Sequence, residues 1–241
     1  TMSELLFYKN VVPLNSETHR DLHLKAVKKP LAFAKEANLI PALVDEFEFA
    51  MDDLPIAFLP GKEQSSAVFV AGLEPGSSVF ITEDGLWNGK YAPAYLRRYP
   101  FIIGDVEGGE SVLCVDDSYE GLSKTDGVRF FSKDGKPEES VTNALALAQN
   151  YRAAADRTDE FVKKLNTLKL LRDIKLDAKM PDGSEKSVHG LQVLDEEAFA
   201  ALPAKALGEL HKAGFLKAIY SHLFSLRSVP KLISGAEPAG K

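Results

Sequence analysis

The chain has 241 residues, 45% hydrophobic and 27% charged, a composition that fits a folded globular protein and argues against wholesale disorder. Its 29 basic and 35 acidic residues leave a formal net charge of −6, which gives no electrostatic footprint for nucleic acid. The single cysteine, Cys114, excludes an intrachain disulfide and any multi-cysteine metal site.

In chain order, Thr1 ahead of Met2 reads as an added residue, and no basic segment precedes an apolar run there. No apolar run approaches the ~18 residues of a membrane span. A cytoplasmic protein is therefore expected. Between residues 18 and 27, Leu22, Leu24 and Ala26 alternate with His19, Asp21, His23 and Lys25. That alternation predicts a half-buried strand, ending before Lys28-Lys29-Pro30. Pro41 suits the first position of a helix. Leu43, Phe47, Ala50 and Leu54 then recur at helical spacing, with Asp45, Glu46 and Glu48 facing out and Pro55 as the stop. Short β-rich runs follow at residues 56–59, 67–73 and 78–82, the last two separated by Glu74-Pro75-Gly76-Ser77. Asp84-Gly85 is a further turn signal.

Residues 86–101 hold the only tryptophan, three of the seven tyrosines and two adjacent arginines. Pro93 can start a helix and Pro100 must stop one, so only a turn or two fits between them. Strands are expected at residues 101–104 and 111–115 around a Glu107-Gly108-Gly109-Glu110 turn, and again at 128–131. Cys114, inside an apolar run, reads as a buried inert thiol or, alternatively, a nucleophile. Residues 132–137 are the clearest internal break. Beyond them a helix is expected to about residue 171, bent around Asp156 to Asp159. A hairpin turning at Met180-Pro181-Asp182-Gly183-Ser184 comes next, then a helical region broken at Gly214. The tail from 234 to 241 reads as loose. The fold expected is α+β, a single domain over residues 1–241. A largely antiparallel sheet in residues 1–131 would pack with a helix-rich C-terminal half containing one β-hairpin.

No Walker loop, GxSxG, HExxH, GxGxxG or kinase signature is present. His19-x-Asp21-x-His23 is the most metal-like pattern, with His189 as a distant third ligand in the style of a non-haem iron triad. On a strand, however, His19 and His23 would stand ~13 Å apart, too far to share one ion. His19 and Asp21 are therefore the candidate ligands, against a plain polar strand face. His211 and His222 would sit ~16 Å apart on one continuous helix, and His222 reads as a core histidine. The acidic pairs Asp52-Asp53 and Asp116-Asp117 read as solvated acids near element ends. Arg97 and Arg98 offer planar forks for a carboxylate or phosphate, with Trp87, Tyr91, Tyr95 and Tyr99 available for stacking. The alternative is structural, an arginine stacked on a tyrosine or paired with an acid such as Asp105.

The run Trp87-Asn88-Gly89-Lys90-Tyr91-Ala92-Pro93-Ala94-Tyr95-Leu96-Arg97-Arg98-Tyr99-Pro100-Phe101 resembles the hallmark of the SapC family of bacterial proteins. Three other segments are similar to that family. They are Pro13-Leu14-Asn15 with His19-Arg20-Asp21-Leu22, then Ile40-Pro41-Ala42-Leu43 on to Leu54-Pro55-Ile56-Ala57-Phe58, and Leu210-His211-Lys212-Ala213-Gly214-Phe215-Leu216 with Tyr220-Ser221-His222-Leu223-Phe224-Ser225-Leu226. The resemblance implies association with bacterial surface-layer proteins. It also implies a setting near TonB-dependent receptors, cupin-like proteins and flavin-dependent halogenase-like proteins. It implies no active site and no cofactor. Three functions are expected on these grounds: a non-enzymatic binding or accessory protein with a protein partner, a metal-assisted enzyme using His19 and Asp21, or a binder of an anionic small molecule or peptide at Arg97 and Arg98.

Overall fold

The computed structural model describes residues 6–105, 111–180 and 183–234. The expected Glu107–Glu110 turn and nearly all of the tail lie outside them. The strands are β1 (Val11–Pro13), β2 (His23–Leu24), β3 (Leu39–Pro41), β4 (Ile56–Leu59), β5 (Ser66–Val70), β6 (Phe101–Asp105), β7 (Ser111–Asp116), β8 (Leu122–Ser123), β9 (Val128–Arg129), β10 (Leu171–Lys179) and β11 (Glu185–Leu194). The helices are α1 (Phe47–Ala50), α2 (Ala94–Arg97), α3 (Glu139–Thr167), α4 (Glu196–Ala200), α5 (Ala204–Lys212), α6 (Phe215–Ser225) and α7 (Lys231–Ser234).

The chain is mixed α/β, 33% helical and 25% strand, but its layout corrects the expectation of a largely antiparallel sheet in the first half beside a separate hairpin. Among the described residues there are three antiparallel sheets, ordered β10-β11-β4-β5-β3, β1-β7-β6 and β8-β2-β9. The C-terminal hairpin does not stand apart. β11 pairs with β4 at Gln192 and Phe58, so the largest sheet takes strands from both halves. The physical reason is the free edge of β4, whose other side is filled by β5. An apolar Ile56-Ala57-Phe58 strand needs a second neighbour for its backbone groups.

Three local expectations also change. Residues 18–21 form turns rather than strand, and only His23 and Leu24 pair, between Ser123 and Arg129. Pro41 ends β3 instead of starting a helix. β3 lies at the sheet edge, where a missing N–H costs no ladder bond, and helical structure begins only after it, as a 3-10 turn (Val44–Glu46) and the single turn of α1. Residues 78–82 form no strand either; Ile81 makes an isolated bridge with Trp87.

Among the described residues two apolar clusters fill the interior. The larger is centred on the five-stranded sheet and includes Phe47, Phe58, Phe69, Phe161 and Leu165. The smaller includes Phe101, Val115, Phe130 and Phe131. α3 runs across both, giving Val141 and Ala148 to the smaller and Tyr151, Ala154, Phe161 and Leu165 to the larger. Gly214, at φ 75°, takes the left-handed conformation that ends α5 and starts α6, so His211 and His222 lie on different helices.

Candidate functional site

The stretch from Trp87 to Phe101 is held by buried acids. Glu46, expected to face out, is 4% exposed. Its carboxylate accepts from Tyr91 Oη at 2.9 Å, from the Ala94 N–H at 2.6 Å and from the Leu43 N–H at 3.3 Å. It thus fixes both the start of α2 and the ring of Tyr91. Burial raises the Glu46 carboxyl above its usual range, opposed by those hydrogen bonds. Burial, then the Glu46 charge, pushes the Tyr91 phenol up to about 12, so it stays protonated and donates. Asp53 and Asp116 are buried too, whereas Asp52 and Asp117 are exposed as expected. Asp53 accepts from the Lys90 N–H at 2.5 Å and from Lys231 Nζ at 2.7 Å. Asp116 accepts from the N–H groups of Lys9, Asn10 and Ser118, from Ser118 Oγ and from Tyr99 Oη. For both acids burial favours the neutral form, yet the hydrogen bonds win and the carboxyls sit below the ordinary value.

The two arginines have different surroundings. Arg98 is 3% exposed, with its guanidinium carbon 3.8 Å from the ring centre of Tyr151, 4.6 Å from Tyr95 and 5.8 Å from Tyr8. This is the stacked-arginine arrangement. Burial raises the phenols of Tyr8 and Tyr151, the Arg98 charge opposing it. Arg97 is exposed; its Nε donates to Ala92 O at 3.0 Å and its Nη2 to Tyr91 Oη at 3.0 Å. Asp105 pairs with neither arginine but with Arg152, at 2.7 Å.

The other residues of the stretch divide between neighbourhoods. Tyr95, fully buried, accepts from the Leu6 N–H at 2.9 Å and meets Tyr151 of α3 edge-on. Tyr99 donates to Asp116 and packs on Phe33, Tyr8 and Tyr119. Trp87 is half-buried, stacked on Phe80 at 5.4 Å. A Cβ at Gly89 would lie 2.8 Å from Trp87 Nε1, so that glycine is what lets the indole close in. Tyr95 and Arg98, rather than Trp87, join this stretch to α3.

A cleft of about 510 Å³ opens beside Arg97, Arg98 and Tyr99. Its walls come from the segment after β2, the α2–β6 junction, Tyr119 and the first turns of α3. Lys25 also lines it, and among the described residues no acidic side chain does. Lys25 and Glu46 were missed as site residues. Glu46 had one signal in sequence: it stands three residues after Leu43 and four before Ala50, on their helical face. A second cleft, about 260 Å³, is lined by Asp45, Glu48, Arg157 and Lys217, but these charges pair off as Arg157 with Asp45 and Lys217 with Glu48.

The expected metal ligands are not gathered. His19 Nδ1 is occupied by the Asn15 N–H and lies 3.0 Å from Thr18 Oγ1, while Asp21 faces Arg129 at 3.5 Å. His23 Nδ1 meets the Asp21 carbonyl. Among the described residues no three His, Cys, Asp or Glu side chains converge to hold an ion. Cys114 is buried and burial raises its thiol. His222 is 1% exposed, accepts from the Leu194 N–H at 3.0 Å, and burial pushes its imidazole down to about 4.

The described residues thus define a mixed α/β protein of three antiparallel sheets with a cation-lined cleft above a tyrosine cage. A family model described as SapC matches residues 14–232, and the chain belongs to the SapC family. Comparison with curated proteins and with solved structures finds no match in either. Among the described residues no helix is long and apolar enough to cross a membrane.

Proposed function

We propose that the chain is a non-enzymatic binding or accessory protein of the SapC type. In this reading it works with a protein partner in bacterial surface-layer or TonB-dependent uptake systems, and it takes an anionic small molecule or peptide in the cleft beside Arg97. One observation carries the binding part. Among the described residues Lys25, Arg97 and Arg98 are the charged ones lining the cleft and no acid lines it, although the chain as a whole is acidic at −6. A local positive concavity in an acidic surface draws anions and rejects cations. The roles divide by geometry. Arg97 makes the charged contact, and Tyr91 holds it in place from Glu46. Arg98, caged by Tyr95 and Tyr151, adds fixed positive charge beneath. Tyr99 gives an aromatic wall, and Trp87 braces the segment at its start.

Calorimetric titration with a panel of carboxylates, phosphates and acidic peptides tests this. Saturable binding is expected, weakened about tenfold or more by Arg97→Gln, since a charge-assisted hydrogen bond contributes roughly 1.5–3 kcal/mol. It should also weaken with salt. If the intact protein binds no member of the panel, the reading is wrong.

A further inference from the structure

The composition of the same cleft says what kind of anion it takes; this inference rests on the anion-binding reading above. Apart from the three cations, the lining is mainly apolar: Leu24, Val27, Pro30, Phe101, Ala144 and Leu147. Of the cations, only two can touch a ligand directly. Arg98 is 3% exposed with its guanidinium already stacked on tyrosines. Arg97 has committed Nε and Nη2, leaving Nη1. Lys25 is exposed and forms no ion pair among the described residues. The remaining polar side chains carry no charge: Tyr99 spends its hydroxyl on Asp116, and Asn143 and Tyr119 are neutral.

Two free cationic ends match one carboxylate. A polyanion would find no further cation for its other charges, and over most of the lining they would meet leucine, valine and proline, where an unpaired charge is heavily penalised. The volume, about 510 Å³, lies in the range of ordinary small-molecule sites, which pair an apolar lining with a few fixed polar groups. We infer that the ligand is an amphipathic monocarboxylate, its charge between Lys25 and Arg97 and its apolar body along Leu24, Val27 and Leu147.

The test is a titration of the full chain with butanoate, hexanoate, octanoate and decanoate, set beside succinate, inorganic phosphate and 1-decanol. Affinity is expected to rise about two- to fourfold per added methylene, and decanol is expected to bind at least tenfold more weakly than decanoate. Lys25→Gln, on an exposed side chain, and Arg97→Gln should each weaken decanoate about tenfold, with unchanged thermal melts confirming that both variants are folded. Succinate or phosphate binding as tightly as decanoate, with no dependence on chain length, would overturn the amphipathic ligand while leaving the anion site standing. Decanol binding as tightly as decanoate would overturn both, as would no binding by any anion.

Discussion

At the scale of single residues the buried acids decide most. Removing Glu46 leaves the Leu43 and Ala94 N–H groups without their acceptor, and each buried unsatisfied donor costs about 1–3 kcal/mol. Glu46→Ala should therefore lower stability by ~2–4 kcal/mol in urea unfolding. Glu46→Gln, which keeps an acceptor oxygen, should cost clearly less; equal losses would show that a neutral amide cannot stand in for the carboxylate. His222 makes a pH prediction. Its folded pKa, about 4, lies below the ordinary 6.5, so between those values the unfolded chain binds a proton that the folded chain refuses. Stability is then fully present above pH 6.5 and falls as pH drops toward 4, by on the order of 3 kcal/mol from this group. His222→Gln should flatten that part of the pH–stability curve, and an unchanged slope would remove His222 from the explanation. The sequence already marked His222 as a core residue, because Ile219, Leu223 and Leu226 surround it at helical spacing. It did not mark Asp53 or Asp116, since a buried acid differs from a solvated one only through partners distant in the chain, such as Lys231 and Lys9.

At the scale of elements α3 is the strap of the molecule. Phe161 is fully buried and meets Phe47, Phe58 and Phe215, so it links the strap to α1, β4 and α6. Phe161→Ala should cost about 3–5 kcal/mol, the usual range for deleting a buried ring. A loss below 1 kcal/mol would mean the neighbours collapse into the gap. The long helix, the hairpin and the apolar strands β4 to β7 were legible, because each carries its own period or its own turn residues. The 3-10 turn with α1, and the edge strand β3, were not. Leu43 to Leu54 reads as a helix on its face, whereas the pairing of Pro41 with Val68 holds the chain just before it in the sheet and the α-helical part is confined to Phe47–Ala50. The same holds for residues 18–21, where Asn15 Oδ1 accepts from the N–H groups of Glu17 and Thr18 and turns the chain, overriding an alternation that suits a strand.

At the scale of the whole molecule, α3 shared by both apolar clusters supports one cooperative unit rather than two domains meeting near residues 132–137. A single calorimetric transition with equal calorimetric and van't Hoff enthalpies is the expected outcome, and two resolved transitions would count for a divided chain. The family was legible from four ordered segments. The cleft was half legible: the arginine pair stood out, while Lys25 arrives from a segment more than seventy residues upstream and announces itself only when the backbone folds beside α2.

The joining of β11 to β4 has a bearing on biosynthesis. A ribosome delivers Phe58 long before Gln192, and in that interval an apolar ribbon has one side unclothed. Its Ile56 N–H also waits for a hydroxyl, that of Ser225, which is made later still. The polypeptide up to residue 136 should accordingly be sticky and prone to self-association in the test tube, and adding residues 137–234 in trans should bring it back into solution. Among the described residues the largest sheet is thus completed by the last strand to be made.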